Sequence, residues 1–155
     1  MIPRRSKHSV VATSVGGEAF EVSVRGHSVR TDQPAGSGGT DTAPTPLELM
    51  SVALAGCVAL YVQRFCESHD LVTRGLGVEV NPVWRAEPGR IGRFDVLLHL
   101  PATIPERHHD AIEAVARSCP VHHTLTHLPE IVVSVMPSSP GFAEATALEP
   151  GKAMA

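Results

Sequence analysis

The pattern of hydrophobic positions in the N-terminal part of the chain predicts a β-hairpin. Residues 10–15 are rich in β-branched side chains, Gly16-Gly17 interrupts them, and residues 19–25 then alternate apolar and polar positions. A period of two is typical of a strand with one buried face, and paired glycines allow a tight turn. Val29 either extends the second strand or begins a third.

A long helix is predicted after a loop that has no periodicity. Residues 32–46 are rich in Pro, Gly, Ser and Thr, which favours a loop. Pro46 then stands where a proline at the first helical position belongs, Thr45 can cap it, and Glu48 lies in the first turn. The helix is expected to run to about Ser68. Because residues 49–62 are almost all apolar, we expect most of it to be hidden from water.

The second half of the chain predicts a second hairpin, a second helix and a last strand. Residues 78–83 and 94–100 alternate apolar and polar positions on either side of a Pro-Gly turn. Apolar positions at helical spacing predict a helix from Ile104 to about Cys119, and a short helix or turn follows. Residues 131–135 are β-branched and predict a strand. The fold class is therefore α+β.

Length and composition indicate one folded domain. The chain has 155 residues, 43% of them hydrophobic and 19% charged, which is a globular composition. We place the domain at residues 9–136, with an N-terminal tail at 1–8. Residues 137–155 are rich in Pro, Ala, Gly and Ser, and we expect a flexible C-terminal tail there.

Charge and hydropathy exclude several classes of partner. Thirteen basic against sixteen acidic residues give a net charge of -3, so no basic field attracts nucleic acid. The apolar run at 49–62 is shorter than the roughly 20 residues of a membrane-spanning helix, and no signal-peptide pattern follows the basic N-terminus. We expect a cytoplasmic protein. A helix that is apolar on all faces must pack against other elements. These are either a partner subunit or a sheet and the second helix of the same chain.

The three cysteines lie in different surroundings. Cys57 lies in a stretch of small residues, where the interior Gly56 suggests a close approach to the helix; it is either reactive or an ordinary small core residue. Cys119 precedes Pro120 and is expected to cap a helix, where backbone N–H groups would lower the pKa of its thiol. Alternatively, Cys119 only ends a helix. Cys66 is interpreted as structural.

Metal and phosphate sites are not predicted. The chain has nine histidines, but the spacing of Cys119, His122 and His123 does not match the paired ligand spacing of zinc sites. Residues 36–39 are rich in glycine but lack the Lys-Ser/Thr that completes a phosphate-binding loop. We expect neither a metal nor a cofactor.

Three segments together resemble the OsmC/Ohr family. They are Asp32-Gln33-Pro34 followed by Gly38-Gly39, then residues 44–49 leading to Ala55-Gly56-Cys57, and finally Ser118-Cys119-Pro120-Val121-His122. The resemblance covers residues 9–136. It implies an interlocked homodimer in which antiparallel sheets wrap a two-helix core, with two active sites at the interface.

The resemblance also implies a function and residue roles. Members of the family are thiol peroxidases that reduce organic hydroperoxides, and the match makes Cys57 the peroxidatic and Cys119 the resolving cysteine. A dithiol reductant of unknown identity would restore them. Where the hydroperoxide-resistance branch has glutamate, position 47 is leucine, so the chain is more similar to the OsmC-like branch. Glu48 is the candidate replacement, acting on Cys57 through Arg25 or Arg30, or it only interacts with the helix dipole.

Two other functions remain open. The chain could keep the fold as a non-catalytic protein that binds a small hydrophobic ligand at the dimer interface. The absent glutamate favours this alternative, and the two retained cysteines oppose it. Hydrolysis with Cys57 as nucleophile and a nearby histidine has no specific motif here.

Overall fold

The computed structural model describes residues 9–137, which divide into two compact units. The first unit holds the residues up to Pro46 and those from Val133 onward, and the second holds Leu47–Val132. The predicted tail at 1–8 and all but the first residue of the predicted C-terminal tail lie outside the described residues. The single domain at 9–136 stays a prediction.

The first unit contains a three-stranded antiparallel sheet. Its strands are β1 (Val11–Gly16), β2 (Ala19–Val24) and β3 (His27–Thr31), with β2 in the middle. Gly17 has a φ of +56° in the turn between β1 and β2, a conformation that glycine adopts without strain. The predicted hairpin is confirmed, and Val29 belongs to a third strand, where it pairs with Val22.

A buried carboxylate organises the loop that follows β3. Asp32 is almost fully buried, and its side chain accepts hydrogen bonds from the backbone N–H groups of Gln33, Thr40 and Thr42, at 2.8, 3.1 and 3.1 Å. The hydroxyls of Thr40 and Thr42 also donate to it, at 2.7 and 2.8 Å. These bonds, chiefly the one from the Thr40 hydroxyl, hold the pKa of Asp32 well below its usual range.

The geometry of this loop explains why position 39 is a glycine. A Cβ atom on Gly39 would lie 1.9 Å from the carbonyl oxygen of Gln33, so only glycine fits where the loop closes around Asp32. The backbone N–H groups of Ser37, Gly38 and Gly39 donate to the carbonyl oxygens of Pro34 and Ala35 within the loop.

The second unit contains three helices and a two-stranded sheet. The elements are α1 (Pro46–Ser68), β4 (Gly77–Arg85), β5 (Arg90–His99), α2 (His109–Arg117) and α3 (Pro120–Thr126). The strands form one antiparallel hairpin, and a 3-10 turn precedes α2. The predicted long helix, second hairpin, second helix and short third helix are all present, so the α+β prediction is confirmed.

One face of α1 forms the core of the second unit. Leu54, Val58, Val62 and Cys66 are buried at a spacing of four residues and pack with residues of α2 and the segments beside it, Ile104, Ile112, Ala116 and Cys119. A four-residue spacing places side chains on one face of a helix, so α1 contributes a stripe to this core.

The expectation that α1 is hidden on all sides is wrong for the single chain. Val52 is 61% exposed, Leu60 is also exposed, and a Cβ atom on Gly56 would meet nothing within 4 Å. The close approach expected at Gly56 is therefore not made within this chain. The cause is that the core packs against one face of α1 only.

The predicted apolar segment at residues 49–62 is too short to span a membrane, but the helix in the structure is longer. Helix α1 is 23 residues long with a mean hydropathy of 1.6 over its most apolar window, and 22% of that window is buried. It is long and apolar enough to cross a membrane, because the helix extends beyond the apolar run at both ends. A single such helix is weak evidence, since the core helix of a globular protein meets the same criteria.

The predicted last strand is absent from the structure. Residues 131–135 have no strand conformation, and Val135 is 99% exposed. A strand needs a neighbouring strand to accept and donate its backbone hydrogen bonds. Within residues 9–137 no strand pairs with this segment, so its β-branched sequence alone does not produce one.

Candidate active site

Cys57 lies in the middle of α1, beside the buried face of the helix. It is half-buried and packs against the core cluster, directly next to the buried Val58. The backbone of Cys57 is therefore fixed within a long helix, and the residue is partly exposed to solvent.

Cys119 caps the helix α3 from the turn between α2 and α3. Its backbone is extended, with φ −69° and ψ 145°, and Pro120 occupies the first helical position as predicted. The sulfur accepts a hydrogen bond from the backbone N–H of His122 at 3.3 Å. The side chain is fully buried. The turn therefore brings the Cys119 thiol into the core, where α1 passes.

The thiols of Cys57 and Cys119 lie close enough to interact. Burial raises the pKa of Cys119; the backbone N–H of His122 opposes this, and the neighbouring Cys57 thiol raises it further. The expectation that capping would lower the pKa of Cys119 is therefore wrong, because removal from water outweighs the backbone donors.

Cys66 does not belong to the pair. It is fully buried in the core of the second unit, two positions before α1 ends at Ser68. Nine residues, or about two and a half helical turns, separate it from Cys57. Burial, followed by the neighbouring charge of Glu67, raises the pKa of its thiol. A neutral buried thiol behaves as a small apolar side chain.

Glu48 is not brought next to Cys57 along α1. It lies exposed in the first turn, nine positions before Cys57. Nine residues of α-helix correspond to about 13.5 Å along the axis and roughly 180° around it. Arg25 lies in the turn between β2 and β3, and Arg30 lies on β3, both in the first unit. The role of Glu48 stays a prediction.

Two apolar cavities are lined by residues of α1 and β5. The first has a volume of about 490 Å³, and its rim carries the polar side chains of His109, Glu113 and Arg117 from α2. The second has a volume of about 580 Å³ and lies toward the start of α1 and the first half of β5. Four residues line both cavities, and they are Leu54, Phe94, Val96 and His122.

His122 is the residue that sequence reasoning did not select. It lines both cavities, and its backbone N–H contacts the Cys119 sulfur. Its ring nitrogen Nδ1 is buried and has no hydrogen-bond partner among residues 9–137. The sequence signal was the spacing Cys-Pro-Val-His, which places the histidine in the first turn of the helix that the cysteine caps.

The described residues contain no group of three or more His, Cys, Asp or Glu side chains that could hold a metal ion. The histidines of α3 are spread along the helix: His123 and His127 lie beside each other with ring centres 5.9 Å apart, and both are exposed. The groups near Cys57 and Cys119 that can take part in a reaction include their two thiols and the imidazole of His122.

The fold and the thiol pair agree with one protein family. A family model described as OsmC-like protein matches residues 39–134, which is more than half of the chain. The chain belongs to the OsmC-like family. No curated protein is significantly similar to it in sequence.

Several solved structures share this fold. A protein of Psychrobacter arcticus 273-4, provisionally described as an osmotic stress induced and detoxification response protein, has a TM-score of 0.71 at 18% identity, covering 79% of this chain and 91% of that one. An OsmC like protein from Mycoplasma pneumoniae has a TM-score of 0.66 at 16% identity, covering 79% and 89%.

A third structure is that of an organic hydroperoxide resistance protein OsmC from Legionella pneumophila. Its TM-score is 0.54 at 17% identity, and the match covers 79% of this chain and 93% of that one. At these identities the likeness shows the fold. The family resemblance inferred from the cysteine motifs is confirmed.

Proposed function

We propose that this protein is a thiol peroxidase that reduces organic hydroperoxides, with Cys57 as the peroxidatic and Cys119 as the resolving cysteine. The observation that carries the proposal is that the thiols of Cys57 and Cys119, which lie far apart in sequence, interact in the fold. The family membership and the name of the Legionella relative support it.

The thiol pair supports a division of roles. Ionised Cys57 attacks the distal oxygen of the hydroperoxide, the O–O bond breaks, and the alkoxide takes up a proton and leaves as an alcohol. Cys57 is then a sulfenic acid. The Cys119 thiol then loses its proton and attacks the Cys57 sulfur, the S–O bond of the sulfenic acid breaks, and a disulfide forms as water leaves.

The surroundings of the pair favour an organic substrate. Leu54 and Val58, which flank Cys57 on α1, line the first cavity together with apolar side chains of β5. Burial of an alkyl chain against such a wall is worth about 25 cal/mol per Å², whereas hydrogen peroxide has no apolar surface to bury. We therefore expect alkyl hydroperoxides to react faster than hydrogen peroxide.

The reductant and the assembly belong to the same proposal. A dithiol reduces the Cys57–Cys119 disulfide to two thiols by thiol exchange and is itself oxidised to a disulfide, because its second thiol completes the reaction within one complex. The exposed apolar face of α1, with Val52, Gly56 and Leu60, supports a homodimer in which a second copy covers it.

The three free cysteines suit a reducing compartment, and we propose a cytoplasmic location.

The test is turnover by the reduced full-length protein. Consumption of tert-butyl hydroperoxide and of hydrogen peroxide is measured with dithiothreitol as a dithiol and with 2-mercaptoethanol as a monothiol. We expect catalytic consumption with the dithiol and a clear preference for the organic peroxide. If no peroxide is consumed while an apolar fluorescent probe binds the protein, the non-catalytic ligand-binding function is supported instead.

A further inference from the structure

Helix α3 and its capping residue carry two histidines one helical turn apart. His123 and His127 are both exposed, and their ring centres lie 5.9 Å apart. Residues four apart on a helix are neighbours on its surface. Histidine ligands of zinc are commonly separated by three to five residues, and in zinc proteases two histidines with three residues between them hold the metal from one helix. The spacing of His123 and His127 is therefore that of a metal-chelating pair.

The ring of His127 is oriented by the end of the helix. Its Nδ1 lies 3.2 Å from the carbonyl oxygen of His123 and 3.1 Å from the hydroxyl of Thr126. A carbonyl oxygen can only accept a hydrogen bond, so this contact favours the tautomer that carries its proton on Nδ1. In that tautomer Nε2 keeps its lone pair. Histidines that ligate metals usually donate their other ring N–H to a carbonyl or carboxylate oxygen in this way.

The separation of the two rings is close to the one that a shared ion requires. A metal–nitrogen distance of about 2.0–2.1 Å places the centres of two imidazoles roughly 4.5–5.5 Å apart across one ion. From 5.9 Å, the rings of His123 and His127 need to approach by roughly 1 Å. Exposed side chains reorient within picoseconds to nanoseconds, so this adjustment needs no movement of the backbone.

The surroundings of the pair favour a cation with imidazole ligands. His127 caps the C-terminal end of α3, which is the negative end of the helix dipole. Among residues 9–137, no third His, Cys, Asp or Glu side chain completes a metal-binding group, so water would supply the remaining ligands. Imidazole suits divalent transition metals such as Zn²⁺, Ni²⁺ and Cu²⁺, whereas Ca²⁺ and Mg²⁺ take oxygen ligands.

A second pair of histidines has the same ring separation in a different environment. The ring centres of His69 and His108 are also 5.9 Å apart. The ring of His69 stacks on Phe65 at 4.1 Å, and the ring of His108 meets both of them edge-on. Stacked and edge-to-face contacts are preferred arrangements of aromatic rings, so packing alone accounts for this cluster. His108 therefore provides a matched control.

We propose that His123 and His127 form a binding site for a divalent transition-metal ion, with water completing its coordination. The two neutral imidazoles donate lone pairs to the ion, and no bond within the protein forms or breaks. Because the ion links the middle of α3 to its C-terminal end, it stabilises the helical conformation. Cys119 caps the other end of the same helix, so a bound ion restrains the segment that holds this thiol. The proposal does not rest on the peroxidase function.

The test measures Ni²⁺ binding to the reduced, untagged full-length protein. Imidazole suits Ni²⁺, whereas thiolates favour softer ions, so Ni²⁺ reports on the histidines more than on the cysteines. Isothermal titration calorimetry should show one dominant site per chain. His123→Gln and His127→Gln should each weaken binding by at least about tenfold, because loss of a ligand costs no less than the change of a residue that orients one. His108→Gln should bind Ni²⁺ as the wild type does.

Hydrogen exchange locates the bound ion. With free Ni²⁺ at ten times its Kd, exchange of the α3 amides through unfolding of the helix should slow about tenfold in the wild type and stay unchanged in His127→Gln. Protection that appears instead at the end of α1 and the start of α2 would assign the ion to His69 and His108 and overturn the inference.

Two calorimetric results would also overturn it. One is the absence of Ni²⁺ binding to the wild type, and the other is equal affinity in the wild type, His123→Gln and His127→Gln. Thermal unfolding without metal checks that each variant is folded. Should a variant be unfolded, the location of the exchange protection in the wild type decides alone.

Discussion

The Cys119 thiol lies beside the Cys57 thiol, and this neighbour adds to the burial that raises the pKa of Cys119. This relationship makes the two cysteines unequal. The Cys57 thiol on α1 is half-buried, whereas the Cys119 thiol is fully buried and its pKa is raised. A nucleophile and a resolving thiol need this difference.

Replacing each cysteine by serine should therefore have a different effect. Cys57→Ser should abolish peroxide consumption, because a serine hydroxyl supplies no thiolate nucleophile. Cys119→Ser should consume one equivalent of organic hydroperoxide and stop at a sulfenic acid that dimedone traps. Cys66→Ser is the matched control and should turn over as the wild type does. Rapid-quench mass spectrometry of the three variants gives the measurement.

Loss of single-turnover consumption in Cys66→Ser, or normal turnover in Cys57→Ser, would contradict these roles. Cys66 lies in the core, so its variant is also compared with the wild type by thermal unfolding to separate a loss of fold from a loss of chemistry.

Asp32 should stabilise the first unit in a pH-dependent manner. Asp32→Asn removes a buried carboxylate that accepts five hydrogen bonds from three residues, and we expect a loss of about 1.5–3 kcal/mol in the free energy of unfolding at pH 7. Urea unfolding followed by circular dichroism measures this change. Glu18→Gln, which neutralises an exposed carboxylate, should change it by less than about 0.5 kcal/mol.

The sign of the pH effect follows from the pKa of Asp32. Because folding holds this pKa below its unfolded value of about 3.9, the stabilisation is complete above about pH 5 and is lost as the pH falls through the folded pKa. The difference between the wild type and Asp32→Asn should therefore shrink between pH 5 and pH 3. A constant difference would show that packing, and not the charge, accounts for the effect.

The exposed face of α1 should mediate dimer formation. Leu60→Glu places a charge on this face, and we expect it to convert a dimer of the 16.4 kDa chain into a monomer at micromolar concentration. Val72→Glu introduces the same charge at an exposed position outside α1 and serves as the control. Sedimentation equilibrium measures both. A wild-type protein that is a stable monomer at this concentration refutes the proposed homodimer.

Glu48 provides a further test of the assembly. Since it lies about half a turn around α1 from Cys57, an effect on the thiol of its own chain has no direct path along the helix. If Glu48 acts through an arginine near the sulfur, Glu48→Gln should slow peroxide reduction much more than it lowers the melting temperature. Glu67→Gln, near the other end of α1, is the control. Unchanged kinetics would leave Glu48 only its interaction with the helix dipole.

Local signals predicted most of the fold. Helix α1 begins at Pro46 because Pro46, Thr45 and Glu48 favour a helix start independently of the rest of the chain, and both hairpins follow from alternation around glycine or proline turns. For residues 131–135, by contrast, the local signals predicted a strand that the structure does not contain. Their strand propensity needs a pairing partner, and a partner strand is a property of the assembled fold.

The candidate site was predictable in its residues but not in its electrostatics. The motifs identified Cys57 and Cys119, whereas the raised pKa of Cys119 depends on burial by other elements, which no local pattern encodes. The hydrogen bonds of Asp32 also join residues that sequence reading treats as an irregular loop. His122 was visible only as part of a motif, since its unsatisfied nitrogen is a tertiary feature.

The most direct test of the account is peptide mapping of the wild-type protein after one equivalent of tert-butyl hydroperoxide. The account predicts the loss of two thiols and a single disulfide that links Cys57 to Cys119, with Cys66 reduced; a disulfide requires Cα atoms about 4.4–6.8 Å apart. A disulfide that includes Cys66, or three intact thiols after exposure to the peroxide, would contradict it.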